Sequence, residues 1–215
     1  MMNQTNNKSV ISNSTLRIAV GILGISLPFI LVIGSIILDG ENKILYSISA
    51  YYHTRIGNGF VCIMSAVAIF LFAYKGHDLR DNIAGNLGGI FALGTALFPN
   101  SQAYPITLIH KLHLSFATLL FIVLIYFSIV LFTTSNKPKP YPKAKKNRNK
   151  VYYICGITMI ACVICIALLK LWLEHSFPQI RNFKLAFWFE SIALIASGIS
   201  WITKGQKFFK DPVAN

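Results

Sequence analysis

The sequence predicts an all-α integral membrane bundle of six transmembrane helices, with the N-terminus and the C-terminus both cytoplasmic. Hydrophobic residues make up 54% of the 215 residues and charged residues only 13%, about half the charged share of a typical soluble domain. The apolar residues are grouped in six runs whose lengths approach or exceed the ~20 residues that cross a bilayer. Lysine and arginine are concentrated in alternate connections between these runs, as in a multi-pass membrane protein.

The predicted helices follow one another along most of the chain. They cover residues 16–38, 56–74, 82–98, 106–133, 151–172 and 184–203. The first run continues without a small-residue cleavage site, so we interpret it as a retained helix and not as a signal peptide. The third run is short and glycine-rich, and the spacing of Gly85 and Gly89 favours close packing against a neighbouring helix. Gly21 and Gly24 predict a similar face in the first helix.

The distribution of basic residues predicts the orientation. If the N-terminus is cytoplasmic, 14 of the 20 lysines and arginines fall on that side and six on the other, which is the bias expected of an inner face. We assign Lys170 to the outer group, near enough to the interface for its amine to extend outward. The net charge of +13 is therefore mainly a topology signal and does not indicate nucleic-acid binding. A bacterial inner membrane is the expected location.

The same composition divides the chain into five segments. We predict a disordered cytoplasmic tail at 1–15, helices one to four across 16–135, an extended basic loop at 136–150, helices five and six across 151–204, and a second tail at 205–215. Membrane lipids are the expected partners. The basic loop also offers anionic headgroups an attraction of about 1 kcal/mol per basic residue.

Polar side chains collect at the outer ends of the predicted helices. His53 closes a segment rich in hydroxyls and aromatics, His110 and His113 share one face at the start of helix four, and Glu190 lies inside helix six. Such groups are costly beside hydrocarbon unless they bind each other or a ligand. Residues 47–54 either dip back into the bundle or form a solvated loop anchored by tyrosines. We expect an outward-facing polar site formed by helices two, four and six.

These residue types predict a zinc site. Neutral imidazoles bind zinc, and a carboxylate can take a proton from the metal-bound water. We therefore expect His53, His110 and His113 to be metal ligands, with Glu190 as general base or as a partner of a ligand. Ser49 lies four residues before His53 and is expected to steady it or the bound water. This set predicts a metal-dependent hydrolase of a lipid or lipid-linked substrate.

Other functions fit the same residues. A hydrogen-bonded, metal-free histidine pair and a structurally bonded Glu190 would suit a protein that binds or transports a lipid headgroup, a proton or a small solute. His53 and His110, on separate helices, would also suit the axial ligands of a haem. The remaining alternative is a structural or regulatory membrane protein whose histidines only pack.

Two resemblances accompany this pattern. Ser49-Ala-Tyr-Tyr-His53 together with His110 and His113 resembles a reduced form of the serine, histidine and paired-histidine pattern of the alkaline ceramidase and adiponectin-receptor superfamily. Members of that superfamily are seven-helix membrane zinc hydrolases, so the resemblance implies zinc chemistry. The chain departs from the pattern in having six predicted helices, histidines three apart and not four, and no aspartate about ten residues after His53.

The second resemblance covers residues 16–135. A glycine-rich first helix, the outer segment Ser47-Ile-Ser-Ala50, the Ala96-Leu-Phe-Pro99 end of helix three and a histidine at the start of helix four resemble the bacterial six-helix membrane family DUF998. This resemblance implies the architecture and an important role for His110 or His113. It implies no particular chemistry.

Overall fold

The computed structural model describes residues 12–40, 44–76, 78–100, 107–135 and 142–205, and within them every regular element is helical. The long helices are α1 (Asn13–Asp39), α2 (Gly57–Ala73), α3 (Leu79–Leu97), α4 (Leu108–Leu131), α5 (Lys143–Leu173) and α6 (Leu185–Lys204). Most of both predicted tails and residues 136–141 of the predicted loop lie outside the described residues.

Four of these helices, α1, α4, α5 and α6, are long and apolar enough to cross a membrane. Their outer surfaces carry large apolar side chains such as Ile37 and Leu171, which are 73% and 82% exposed. A surface of this kind is unfavourable in water and suits lipid. The structure thus agrees with an integral membrane protein. Helix α2 is apolar but has only 17 residues, so the count of six spans and the orientation remain predictions.

Three helices begin earlier than the sequence pattern predicted, and α3, which begins at Leu79 and not at residue 82, is one of them. Helix α1 begins at Asn13, inside the predicted tail, because the hydroxyl of Ser12 caps it by accepting a 3.1 Å hydrogen bond from the amide of Thr15. Helix α5 begins at Lys143, directly after Pro142, and residues 143–150 are helical where we expected an extended loop. Lysine and arginine are good helix formers, and basic side chains of this turn are buried against the bundle.

The helices alternate in direction, so their ends form two groups. We call one the histidine end, where residues 44–57 and 97–100 meet the start of α4, the end of α5 and the start of α6. We call the other the basic end, where α1 and α5 start and α6 finishes. Helix α6 packs between α1 and α5, and α3 packs between α2 and α4. The first and last helices are therefore neighbours.

The contact between α1 and α6 depends on two glycines. A Cβ atom at Gly21 would lie 2.7 Å from the carbonyl oxygen of Gly198, and one at Gly198 would lie 2.5 Å from the carbonyl oxygen of Gly21. The predicted packing face at Gly21 is thus confirmed, whereas a Cβ at Gly24 would find an ordinary 3.5 Å contact. In α3, Gly85 lies against α2 too closely for any side chain.

Candidate functional site

The segment between α1 and α2 folds into the bundle. Residues Ile48–His53 form a 3-10 helix, whose first turn is capped by the hydroxyl of Ser47 accepting a 3.2 Å hydrogen bond from the amide of Ala50. Four successive residues at its start are buried: Ile48, Ser49, Ala50 and Tyr51. Of the two arrangements that the sequence left open for this segment, the structure has the one that dips into the bundle, and not the solvated loop.

This segment forms one wall of a cavity of about 70 Å³ toward the histidine end, which we call the Ser49 cavity. Its polar lining comes from five elements: Ser49, Thr95, His113, Lys170 and Glu190. Its other walls are apolar side chains from α1, α2, α4 and α6. Residues far apart in the sequence therefore meet in one pocket, as the candidate site requires. Of the predicted site residues, Ser49, His113 and Glu190 line it.

Glu190 connects two elements at this cavity. Its Oε2 accepts a 2.6 Å hydrogen bond from the backbone amide of Ile48. One turn earlier in α6, the amide of Phe187 donates to the carbonyl oxygen of Tyr46 at 3.0 Å. The start of α6 is thus hydrogen-bonded both to the 3-10 helix and to Tyr46 in the segment that precedes it. Glu190 is a structural acceptor as well as a cavity residue.

Lys170 lines the same cavity, which the sequence did not indicate. We expected its amine to extend outward to the interface. It lies in the π-helical turn Leu169–Leu173 near the end of α5, and a π turn inserts an extra residue and so rotates the side chains that follow. Lys170 is close enough to act electrostatically on Glu190. The cavity is therefore lined by one lysine and one glutamate side chain.

Ser49 and His53 are linked through Asn100 and not directly. The side-chain amide of Asn100 donates a 2.8 Å hydrogen bond to the hydroxyl of Ser49, and the backbone oxygen of the same residue pairs with Nε2 of His53. Asn100 is buried, whereas His53 is an exposed residue. Sequence reasoning missed Asn100, although its position directly after the Phe98-Pro99 end of α3 marks a chain turn.

The three predicted zinc ligands occupy different surroundings. His113 is 2% exposed, and its Nδ1 pairs with the carbonyl oxygen of Phe98 at 2.8 Å. His110 has a buried Nδ1 without a hydrogen-bond partner among the described residues, and neither it nor His53 lines the cavity. In the part of the chain that the structure describes, no three His, Cys, Asp or Glu side chains form a group able to hold a metal ion. Zinc and haem binding therefore remain predictions.

The α4 wall of the cavity faces the outside of the bundle. Its lining side chains Leu114, Ala117 and Phe121 are only half-buried. Closer to the basic end, α4 joins α5 through a 2.9 Å hydrogen bond from the hydroxyl of Ser128 to the carbonyl oxygen of Tyr152. The hydrogen bond thus joins α4 and α5 on the side of the cavity that faces the basic end. The cavity itself is bordered by the half-buried apolar side chains of α4.

A cluster of three side chains lies beside this site. The hydroxyl of Tyr46 donates to the carboxylate of Glu174, and Nε of Arg181 lies 3.8 Å from the other carboxylate oxygen. The guanidinium carbon of Arg181 is also 4.9 Å from the centre of the Tyr46 ring. Burial raises the pKa of the Glu174 carboxyl above its ordinary value, and the charge of Arg181 opposes that rise.

The comparisons with other proteins add no assignment to this geometry. No protein family, no curated protein and no solved structure matches the chain.

Proposed function

We propose that this membrane protein binds the polar end of an amphipathic molecule in the Ser49 cavity. The observation that carries the proposal is the meeting of Ser49, His113, Lys170 and Glu190 in a single cavity whose other walls are apolar. Binding sites for small molecules commonly combine apolar walls with a few converging polar groups. Ionisable residues inside a membrane bundle are costly unless they serve such a site.

The charges of the cavity favour a particular class of polar end. In their ionised forms Lys170 and Glu190 would supply one positive and one negative charge, and Ser49 adds a hydroxyl that both donates and accepts. A ligand with a net charge would leave one of these two groups poorly compensated in a low-dielectric setting. The cavity therefore suits a neutral or zwitterionic polar end that both donates and accepts hydrogen bonds.

The size of the cavity limits that polar end. A water molecule occupies roughly 10–15 Å³ on the same measure, so 70 Å³ accommodates about five to seven water-sized groups. A glycerol-like or aminoalcohol-like group fits, whereas a whole lipid does not. The apolar remainder of the ligand would then lie outside the cavity, along the half-buried α4 side chains Leu114, Ala117 and Phe121. In our proposal the site lies in the outer half of the membrane, as the predicted positive-inside orientation requires.

Photolabelling tests the proposal with a defined probe. A monoacylglycerol carrying a diazirine in its acyl chain would be incorporated into nanodiscs with the purified protein, irradiated and mapped by peptide mass spectrometry. We expect labelling of α4 near Ala117, and strong loss of that labelling in Ala117→Trp, because the indole would fill the cavity. The matched control is Thr118→Trp, since Thr118 is exposed on the same helix turn.

The outcomes separate the alternatives. Equal labelling of the wild-type protein, Ala117→Trp and Thr118→Trp would show that the probe samples only the outer surface, which would refute the cavity as its binding site. Stronger labelling by an acidic diazirine fatty acid than by the monoacylglycerol would contradict the charge argument. Stoichiometric zinc in protein purified without chelators would instead favour the hydrolase that the sequence pattern predicts.

A further inference from the structure

The hydroxyl group of Ser49 belongs to a small hydrogen-bonded cluster that borders the Ser49 cavity. The cluster consists of Ser47, Ser49 and Asn100, which are 0%, 8% and 5% exposed. Ser49 is the member of the cluster that lines the cavity. A free hydroxyl group both donates and accepts hydrogen bonds, so its partners within the cluster decide which of these two functions Ser49 offers to a ligand.

Asn100 uses the acceptor side of Ser49. The side-chain nitrogen of Asn100 donates to Oγ of Ser49 at 2.8 Å. An amide nitrogen only donates, so the hydroxyl group of Ser49 is the acceptor in this bond. The backbone oxygen of Asn100 pairs with the ring of His53, which holds the same residue from its other side.

The second partner of Ser49 is Ser47. Oγ of Ser47 accepts the amide of Ala50 at 3.2 Å and lies 3.3 Å from Oγ of Ser49. Because Ser47 is fully buried, its own hydroxyl proton needs an acceptor in the protein. Among the described residues, Oγ of Ser49 is the acceptor within reach of it. Ser47 therefore donates to Ser49, and both lone pairs of Ser49 are occupied.

The proton of Ser49 is left for the cavity, because both of its partners in the cluster donate to it. Lys170, near the end of α5, lines the same cavity and carries protons on its side-chain nitrogen in either ionisation state. The 3-10 helix and α5 thus each present a donor to one cavity. A ligand atom that satisfies both donors must be an acceptor with two lone pairs.

Thr95 contributes the other hydroxyl group of the lining, and its proton is used differently. Its Oγ1 donates to the backbone oxygen of Phe91, four residues earlier in α3, at 2.8 Å. The proton of Thr95 is thus consumed within its own helix. Of the two hydroxyl groups that line the cavity, Ser49 is the one with a proton to donate to a ligand.

We propose, on the premise that the Ser49 cavity binds an amphipathic molecule, that Ser49 donates its proton to the carbonyl oxygen of an acyl ester in that molecule. A carbonyl oxygen accepts hydrogen bonds and donates none, which matches the donors of Ser49 and Lys170. An ester lies between the polar end and the acyl chain, as the polar lining lies beside the apolar walls. An amide would add an N–H group that needs an acceptor beside those walls.

Glu190 supplies the acceptor for hydroxyl groups of the polar end. It lines the cavity, and one of its carboxyl oxygens accepts the amide of Ile48. A carboxyl group has the capacity to accept from more than one donor. An acylglycerol therefore has a partner for each kind of polar group that it carries, with its carbonyl oxygen at Ser49 and its hydroxyl groups at Glu190.

A matched pair of lipids tests the carbonyl contact. A monoacylglycerol and the monoalkylglycerol of equal chain length have the same hydroxyl groups, but the ether lacks the carbonyl oxygen. Both would be added to nanodiscs as unlabelled competitors of the diazirine monoacylglycerol. The measurement is the mole fraction of each competitor that halves the labelling of α4 near Ala117.

We expect the ester to compete about fivefold more strongly than the ether in the wild-type protein, because the ether forms one hydrogen bond fewer. The two lipids should compete equally in Ser49→Ala. Ser49→Cys, which keeps the size of the side chain but is only a weak donor, should also lower the preference and serves where Ser49→Ala does not fold. The matched control is Thr95→Val, which removes a lining hydroxyl group and should keep the preference.

Each outcome decides for or against the carbonyl contact. Equal competition by the two lipids in the wild-type protein, with labelling still lost in Ala117→Trp, would overturn the contact and leave the proposed binding in place. Labelling that is unaffected by Ala117→Trp would overturn both. A preference for the ester that persists in Ser49→Ala and Ser49→Cys, or that Thr95→Val abolishes equally, would refute the role of Ser49.

Discussion

The backbone amide of Ile48 donates a 2.6 Å hydrogen bond to the carboxylate of Glu190. The bond joins the 3-10 helix that follows α1 to the second turn of α6, at the wall of the Ser49 cavity. Ile48 is buried and is the first residue of its 3-10 helix, so its amide has no acceptor within that helix. The carboxylate of Glu190 supplies this acceptor. Glu190 thus holds the cavity together whether or not it also binds a ligand.

Replacing Glu190 tests this structural role. A buried donor that loses its acceptor costs about 1–3 kcal/mol, so Glu190→Ala should lower the midpoint of thermal unfolding in detergent clearly more than Glu190→Gln, which keeps an acceptor oxygen. Ser191→Ala is the matched control, because the buried hydroxyl of Ser191 has no partner among the described residues. Equal losses in Glu190→Ala and Glu190→Gln would mean that the bond with Ile48 contributes nothing.

The hydrogen bond between Ser49 and Asn100 predicts coupling between their substitutions. Ser49→Ala and Asn100→Ala each remove the same 2.8 Å bond, so the double variant should lose less stability than the sum of the single variants. The expected coupling is about 1 kcal/mol, measured from thermal unfolding. Pairing Ser49→Ala with Ser128→Ala, at the other end of the bundle, should give additive effects. Additivity in the first pair would show that the bond is not formed.

Glu174 predicts a pH dependence of stability with a definite sign. Because burial raises its pKa above 4.5 in the folded protein, the folded state binds this proton more tightly than the unfolded state does. The stabilisation is complete below pH 4.5 and is lost as the pH rises through the folded pKa. The unfolding midpoint of Glu174→Gln minus that of the wild type should therefore increase with pH over this window.

Arg181 and Tyr46 supply the controls for that measurement. Arg181 opposes the rise in the pKa of Glu174, so Arg181→Gln should move the same transition to higher pH. Tyr46→Phe removes the hydroxyl that donates to the carboxylate but no charge. A difference between Glu174→Gln and the wild type that stays constant with pH would contradict the inferred protonation of Glu174.

The close contact of α1 and α6 predicts a sharp difference between two glycines. Gly198→Ala places a methyl group 2.5 Å from the carbonyl oxygen of Gly21, which forces the helices apart. We expect a loss of about 1–3 kcal/mol, as for other overpacked interiors, seen as a lower unfolding midpoint. Gly24→Ala, with its nearest contact at 3.5 Å, should leave the midpoint unchanged or slightly raised. Similar midpoints for both variants would disprove the close packing.

Cysteine labelling tests the predicted orientation and the number of spans. In a background without the native cysteines, Arg181→Cys should react with a membrane-impermeant maleimide in intact cells, and Lys146→Cys only after permeabilisation. The same comparison of Asn58→Cys with Lys75→Cys asks whether the 17-residue helix α2 crosses the membrane. Labelling of Asn58→Cys and Lys75→Cys from one side would exclude α2 as a span.

The sequence predicted the helices well because their signal is strong and local. Long apolar runs locate the interior of each helix, and the structure moves most boundaries by only a few residues. Helix α5 is the exception, starting at Lys143 and not at residue 151. Its first turns are basic, and only the tertiary contacts of Lys145 and Arg148 explain why a polar segment is helical and buried. Composition alone does not contain those contacts.

The candidate site was only partly predictable for the same reason. Ser49, His113 and Glu190 stood out as polar residues beside hydrocarbon, and they line one cavity. Asn100 acts through its backbone oxygen as well as its side chain, and a backbone role leaves no mark on residue type. Lys170 enters the cavity from a π turn, a local change of helix geometry that a 3.6-residue period does not predict.

The Gly21–Gly198 contact can form only late in synthesis, because it joins the first long helix to the last one described. Helix α1 is synthesised first and α6 last among the described helices. The glycine face of α1 therefore has no α6 to pack against until that last helix has been inserted. A translation product that stops after α5 would expose that face to lipid or to other nascent helices. Insertion of α6 is therefore the step that covers the glycine face of α1.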